Sequence, residues 1–440
     1  MKKILSLLLA ALTILSLAAC NAKEPGPTEE VPKVTTSVSA YKAGLDSGLE
    51  AGQRLSWETL NAQPIKRADM TPYEARELCV NYFRFAKTAL WMPDEDLDFI
   101  RNSSGSQDNM DGASLYAGLP YVGVGSGNLY RLMDYMDDET GVVQMSKAAD
   151  VWKVFGNQCS IGAYWGWCRA INSANYTWTQ TMVEKNGFIR VGDYEYDLTL
   201  SRVGGKTDGV NNPKTPDILR ENGRERMYKA YAEIKLGDGL VYYTSAGHVI
   251  MSSCDAHVEY DANGNIDPNK SYITMIDQGQ TWYEAATEDG QVYQYKGNVD
   301  KQMTFTKLFD GNYMPFTFAE FLGTDPIEDT VCKISHTGET MKVSDLWNTT
   351  ITCNYGISDI YALVRDAKGN EVYKLANRCT AASTKKMTFI QKAKEGKTNT
   401  VEFWGYLEPE LSADDNYTIE IYAQIGTGER FTLYTGHLVA

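Results

Sequence analysis

Histidine is scarce in this chain. Four residues in 440 carry the imidazole: His248, His257, His336 and His437. None of the eight cysteines forms a C-x-x-C pair, so a zinc site of Cys and His ligands has little to build from. No metal and no organic cofactor is expected. Basic blocks are missing beyond Lys2 and Lys3, and the formal net charge is -15. Nucleic acid is therefore not an expected partner, because phosphate binding needs clustered Lys and Arg. A dinucleotide fingerprint is lacking too. Gly123, Gly125 and Gly127 in "YVGVGSGN" miss the G-x-G-x-x-G spacing and follow no β-rich unit. Long apolar runs are absent except Ile4 to Leu17, which is too short for a confident membrane span.

That run has its own meaning. Lys2 and Lys3 precede it, and Ala18 and Ala19 lead from it into Cys20, the pattern of a secretory leader. A cysteine at the cleavage point resembles the lipobox of bacterial lipoproteins. The resemblance implies a leader over 1–19, lipidation of Cys20, export, and anchoring to the outer face of the bacterial cell membrane. Residues 20–45 carry Pro and Glu without apolar period and read as a flexible tether. Seven cysteines then remain, and an odd number outside the cytoplasm leaves at least one thiol unpaired.

Residues 71–90 have a helical apolar period behind a Thr-Pro start, with Cys79 as a small buried hydrophobe. A second helix is expected over 146–172, broken near Gly156. Residues 187–225 are polar and rich in Gly, Asn and Pro, which suggests a long surface excursion. Strands are expected at 239–243, 248–253 and 272–277. The intervening "DANGNIDPNK" alternates Asp261, Asn263, Asn265 and Asp267. Its glycine is fourth rather than sixth, and Tyr272 stands where a calcium loop has Glu, so a hairpin turn is the better reading. Beyond "GTDPIEDT", seven short alternating runs predict a separate β-sandwich over 331–440, able to fold alone. Its cysteines, Cys332, Cys353 and Cys379, leave room for one disulfide of undetermined pairing.

Cys159 in "NQCSIGAYWGWCRA" stands where a helix starts, and unsatisfied N–H groups at a helix start favour a thiolate. Cys168 falls inside the helix and reads as core. His248 follows a Ser-Ala-Gly turn and opens a strand, a suitable place for a base. A third group would hold its tautomer. Asp277 and Gln278 are neighbours on one strand and face opposite ways. Pattern alone does not choose between them; a carboxylate stabilises imidazolium better, which favours Asp277 with Gln278 as the alternative.

"GLPYVGVGSG", "QCSIGAYWGW", "LGDGLVYYTSAGHVIM" and "YITMID" come in an order that resembles NlpC-type and CHAP-type peptidases, the papain-like cysteine hydrolases of bacterial cell walls. The resemblance implies an α+β fold over 46–328, a Cys-bearing helix packed on an antiparallel sheet, followed by an Ig-like sandwich. It implies Cys159 as nucleophile, His248 as base, Asp277 as orienting residue, and Tyr121 with Ser160 shaping the substrate and oxyanion site. The substrate would be a peptide amide, with peptidoglycan the expected partner and the sandwich a candidate binder of a surface ligand. Two other functions fit the same residues: a non-catalytic adhesion lipoprotein and an acyl transferase.

Overall fold

The structure is a computed structural model. It describes residues 66–439 apart from 101–106, 113, 124, 138–139, 145–155, 174–178, 180–181, 183–186, 197–213, 245, 380–383, 390–400, 405–410 and 412–415. The expected leader, Cys20 and the tether lie outside the described residues, as do residues 146–155 of the second expected helix.

Thr71 opens helix α1 (Pro72–Thr88) with a reciprocal capping box to Glu74 and a proline in the first turn, which satisfies two helix-start donors. The chain then runs through β1 (Leu90–Pro93), the hairpin β2 (Leu97–Ile100) and β3 (Gln107–Met110), β4 (Leu115–Ala117), α2 (Leu129–Met133) and β5 (Val142–Val143). Next come α3 (Cys159–Trp167), β6 (Ile189–Arg190), α4 (Thr215–Ala232), β7 (Gly239–Tyr243) and β8 (Gly247–Ser252). Two long strands, β9 (Tyr272–Ala286) and β10 (Val292–Thr304), precede α5 (Phe305–Asp310), β11 (Met314–Thr317) and α6 (Ala319–Leu322).

Among the described residues, nine of these strands form one sheet in the order β5-β1-β4-β10-β9-β8-β7-β11-β6. The pairs are antiparallel except β1 with β5 and β4 with β10. Helix α3 lies against α1, β8 and β9. It is apolar around its whole circumference and every residue of it is buried, as expected of a helix sealed inside a core. Its glycines allow the close approach. A Cβ at Gly162 would sit 3.1 Å from the Gln278 Cβ, and one at Gly166 would sit 2.9 Å from the Met251 methyl.

Residues 187–225 do not form one long excursion. Helix α4 starts at Thr215 and buries Ile218 and Leu219 before a break at Gly223 (φ 74°). Its charged outward positions dilute the apolar period, and the glycine interrupts it.

The C-terminal part holds β12 (Cys332–Ile334), β13 (Thr340–Lys342), α7 (Val343–Leu346), β14 (Thr350–Cys353), β15 (Ile357–Arg365), β16 (Glu371–Cys379), β17 (Lys386–Thr388), β18 (Val401–Trp404), β19 (Tyr417–Ile425) and β20 (Arg430–Val439). They make a three-stranded sheet, β12-β14-β17, and a six-stranded sheet, β13-β20-β19-β15-β16-β18. The molecule is thus mixed α and β and dominated by sheet. One hydrophobic core runs through both parts. Buried ion pairs join them: Arg131 to Asp359 at 3.0 Å and Arg378 to Asp134 at 2.9 Å.

Candidate functional site

Cys159 is the first residue of α3, and the side chain of Gln158 makes no capping bond. The first-turn N–H groups of a helix have no intrahelical acceptor, so a site that gathers negative charge lies at the thiol. Ser160 follows it, buried in the same turn.

The segment before Cys159 is clasped to the "LPYVGVGSG" loop. Asn157 N donates to Pro120 O at 3.2 Å, Val122 N to Asn157 O at 3.0 Å, and Gly127 N to Gly156 O at 2.8 Å. The Asn157 side chain adds a bond to Gly127 O at 3.1 Å. Gly125 is required here, because a Cβ on it would lie 2.3 Å from Gly156 O. The clasp brings Tyr121 near Cys159. Burial first, and the neighbouring Cys159 second, push the Tyr121 hydroxyl up to about 12, against a hydrogen bond with Gln280.

His248 enters from β8, directly across from Tyr242 on β7. Its Nε2 lies 2.7 Å from Asp277 Oδ2, and Cys159 is close enough to act on the ring. With Nε2 committed to the carboxylate, Nδ1 is the nitrogen left for the thiol. Burial disfavours the imidazolium, but Asp277 and Cys159 outweigh it and raise the ring to about 10. Burial likewise pushes Asp277 up, while His248 and Asn298 bring its carboxyl below the ordinary value.

Asn298 is a member of the site that the sequence reading missed. Its backbone N–H and its side-chain amide both donate to Asp277 Oδ1, at 2.6 and 3.0 Å. Both bonds depend on an irregularity in β10, where the register with β9 shifts on either side of Asn298. Gly297 makes that possible with φ 80°, and a Cβ on it would lie 2.3 Å from Asp277 O. Arg84 of α1 ties down the far side of the irregularity through two 2.9 Å bonds to Asp300. The signal available in sequence was the Gly-Asn pair inside "YQYKGNVDKQ", where a glycine interrupts a strand.

Gln278 faces away from His248. Its Oε1 accepts from Lys87 Nζ, and its Nε2 donates to Leu119 O at 2.9 Å and to Asn157 O at 3.5 Å. It supports the clasp from beneath and does not orient the imidazole.

Two more aromatic residues flank the site. Tyr242 and Tyr313 meet edge to face with centroids 5.3 Å apart. Burial raises both hydroxyls, with neighbouring Cys159 adding to the rise in each. Gly247 lets Thr179 approach the start of β8, since a Cβ there would lie 1.9 Å from Thr179 Oγ1. The other thiols near α3 have no such surroundings. Burial pushes Cys168 up to about 11 and Cys79 further still. His257 sits in an exposed position 3.3 Å from Glu259, outside this cluster.

Comparison with family models, with curated proteins and with solved structures returned no match to this chain.

Proposed function

We propose that the protein is an exported, lipid-anchored cysteine hydrolase of the papain-like, NlpC type, cutting an amide bond in cell-wall peptide. The observation that carries this is the His248 ring, held at 2.7 Å by Asp277 and beside Cys159, whose proximity raises the ring's pKa. A Cys-bearing helix packed on antiparallel strands supports the papain-like reading, and the two C-terminal sheets support the Ig-like one.

The chemistry follows from the geometry. The Cys159 thiolate attacks the carbonyl carbon, and the helix-start N–H groups stabilise the oxyanion. His248 gives its proton to the leaving amine, and a thioester remains on Cys159. Water, deprotonated by His248, then releases the acid and restores the Cys159 thiolate beside the protonated ring. Asp277 holds the ring in the tautomer that presents Nδ1 to sulfur, and Asn298 holds Asp277.

Brief treatment with iodoacetamide near neutral pH, followed by peptide mapping, tests the site. Cys159 should be modified first, ahead of Cys79 and Cys168. His248→Ala should slow that modification by tenfold or more, and Asp277→Asn should slow it less. Even labelling of the three thiols, unchanged in His248→Ala, would remove the catalytic reading. Digestion of peptidoglycan fragments by the wild-type protein then tests the substrate. Membrane fractionation of Cys20→Ala tests the anchor, which should be lost.

A further inference from the structure

Cys332 and Cys353 stand directly opposite each other where β12 pairs antiparallel with β14. The backbone bonds identify the kind of pair. Cys353 N donates away from β12, to Lys385 O at 2.9 Å, while the adjoining Asn354 N donates to Val331 O at 3.3 Å. Cys332 and Cys353 are therefore a non-hydrogen-bonded pair, the kind in which opposed Cα atoms approach to about 4.5 Å. That separation falls within the span a disulfide bridges, about 4.4–6.8 Å between Cα atoms. The two thiols are close enough to shift each other's pKa. Cys353 is buried and Cys332 is partly exposed.

We propose that Cys332 and Cys353 form a redox-responsive thiol pair that closes to a cross-strand disulfide, with a small-molecule or protein disulfide as the oxidant. The assignment does not rest on the hydrolase reading. Cys332 is the attacking thiol. It is the more exposed of the two, and the neighbouring thiol lowers its pKa, burial opposing, while the same neighbour and burial raise that of Cys353. The Cys332 thiolate attacks one sulfur of the donor disulfide, whose S–S bond breaks to release one donor thiolate. Cys353 then loses its proton to solvent and attacks the Cys332 sulfur, releasing the second donor thiolate. Two protein thiols are oxidised by two electrons, and the donor disulfide is reduced to two thiols.

The position gives the bond a consequence. β12 is the first strand after the chain leaves the N-terminal part. Thr330, two residues earlier, accepts from Arg67 at 3.2 Å. Tyr355, two residues after Cys353, donates its hydroxyl to Glu328 O at 2.8 Å and Ala170 O at 3.2 Å. Closing the pair fastens the crossing between the two parts and constrains the unfolded chain over residues 333–352.

The test equilibrates the full chain with glutathione mixtures from fully reduced to fully oxidised. Free thiols are alkylated, and the digest is read by mass spectrometry without reduction. A linked Cys332–Cys353 peptide should accumulate with the oxidised fraction, and thermal unfolding of the oxidised protein should move up by several degrees. Cys353→Ser should lose both effects, and Cys379→Ser should keep both. If wild-type protein in oxidised glutathione yields Cys332 and Cys353 alkylated, or joined to other partners, the proposal is overturned. Mapping of the wild type decides this even if a variant fails to fold.

Discussion

His248 and Lys87 have opposite pH dependences around the same carboxylate. Lys87 is buried, and burial brings its pKa down to about 7, with Asp277 opposing and Lys296 adding to the fall. Between about pH 7 and the ordinary lysine value near 10.4, the unfolded chain holds a proton that the folded chain does not. Stability therefore rises with pH across that window. His248 does the reverse. Its folded pKa of about 10 lies above the ordinary value of 6.5, so its contribution is complete below 6.5 and is lost as pH rises through 10. Each slope is at most about 1.4 kcal/mol per pH unit, and between pH 7 and 9 they offset. Asp277 stays ionised and Tyr121 stays protonated throughout that interval. Urea midpoints at pH 7 and pH 9 should accordingly differ little in the wild type. Lys87→Met should be less stable at pH 9 than at pH 7, and His248→Gln should be more stable at pH 9. The bond that Lys87→Met removes from Gln278 shifts both midpoints alike and leaves the sign of the slope untouched. Flat profiles in both variants would mean that the two groups titrate normally.

At the scale of elements, what was legible followed local signals. The Thr-Pro start and apolar period gave α1 to within two residues of its end. Alternating runs gave β7, β8 and the first six residues of β9, and all seven expected C-terminal runs contain a strand. β1, β4, β5 and β6 were illegible because two to four residues show no period; their pairing is set by distant chain. The helix start at Cys159 and the strand start beside His248 were legible from their turns. The choice between Asp277 and Gln278 was not, because strand alternation only says that they differ, and the face turned to β8 is a tertiary matter. Asn298 was hidden for the same reason, one step further along the network. Its position depends on Gly297, which yields a prediction. Gly297→Ala forces a side chain into φ 80° and against Asp277 O, which pushes Asn298 off the carboxylate. Displacement of this kind costs on the order of a hundredfold in rate. Gly290→Ala is the control, since its φ is 87° but no atom lies within 4 Å of the added Cβ. Both variants should lose stability, each by about 1 kcal/mol or more. Only Gly297→Ala should slow alkylation of Cys159 in the folded fraction. Equal slowing in both would assign the effect to backbone strain rather than to the loss of Asn298.

For the whole molecule, the sequence pattern suggested a C-terminal sandwich that folds alone, whereas the buried charges lead to a different expectation. Arg131, Asp359 and Arg378 are fully buried, and each is paired across the junction between the two parts. Arg131 donates to Asp359 Oδ1 at 3.0 Å, to Ser358 O at 3.2 Å and to Cys379 O. Arg378 donates to Asp134 Oδ2 at 2.9 Å, and the Tyr361 hydroxyl to the same oxygen at 2.6 Å. Taking residues 331–440 away from Arg131 and Asp134 would strip the shorter ion pairs from Asp359 and Arg378 and leave their 3.6 Å contact with each other. Breaking a buried pair by removing one partner costs about 3–5 kcal/mol, a large share of a domain's usual margin of about 5–15 kcal/mol. The same contacts reach the site. Arg131 also holds Ser126 O at 3.2 Å, and Asn128 donates to Ser358 Oγ at 2.7 Å, so the loop that carries Tyr121 is braced from the C-terminal side. The intact chain should therefore unfold in one transition, with the buried thiols of Cys79 and Cys379 becoming accessible at the same denaturant concentration. Asp359→Asn should move both midpoints down together, and residues 331–440 alone should show no cooperative melt. Two separate transitions, or a cooperative melt of the isolated span, would mean that the ion pairs join units already stable by themselves, and that Tyr121 keeps its place without them.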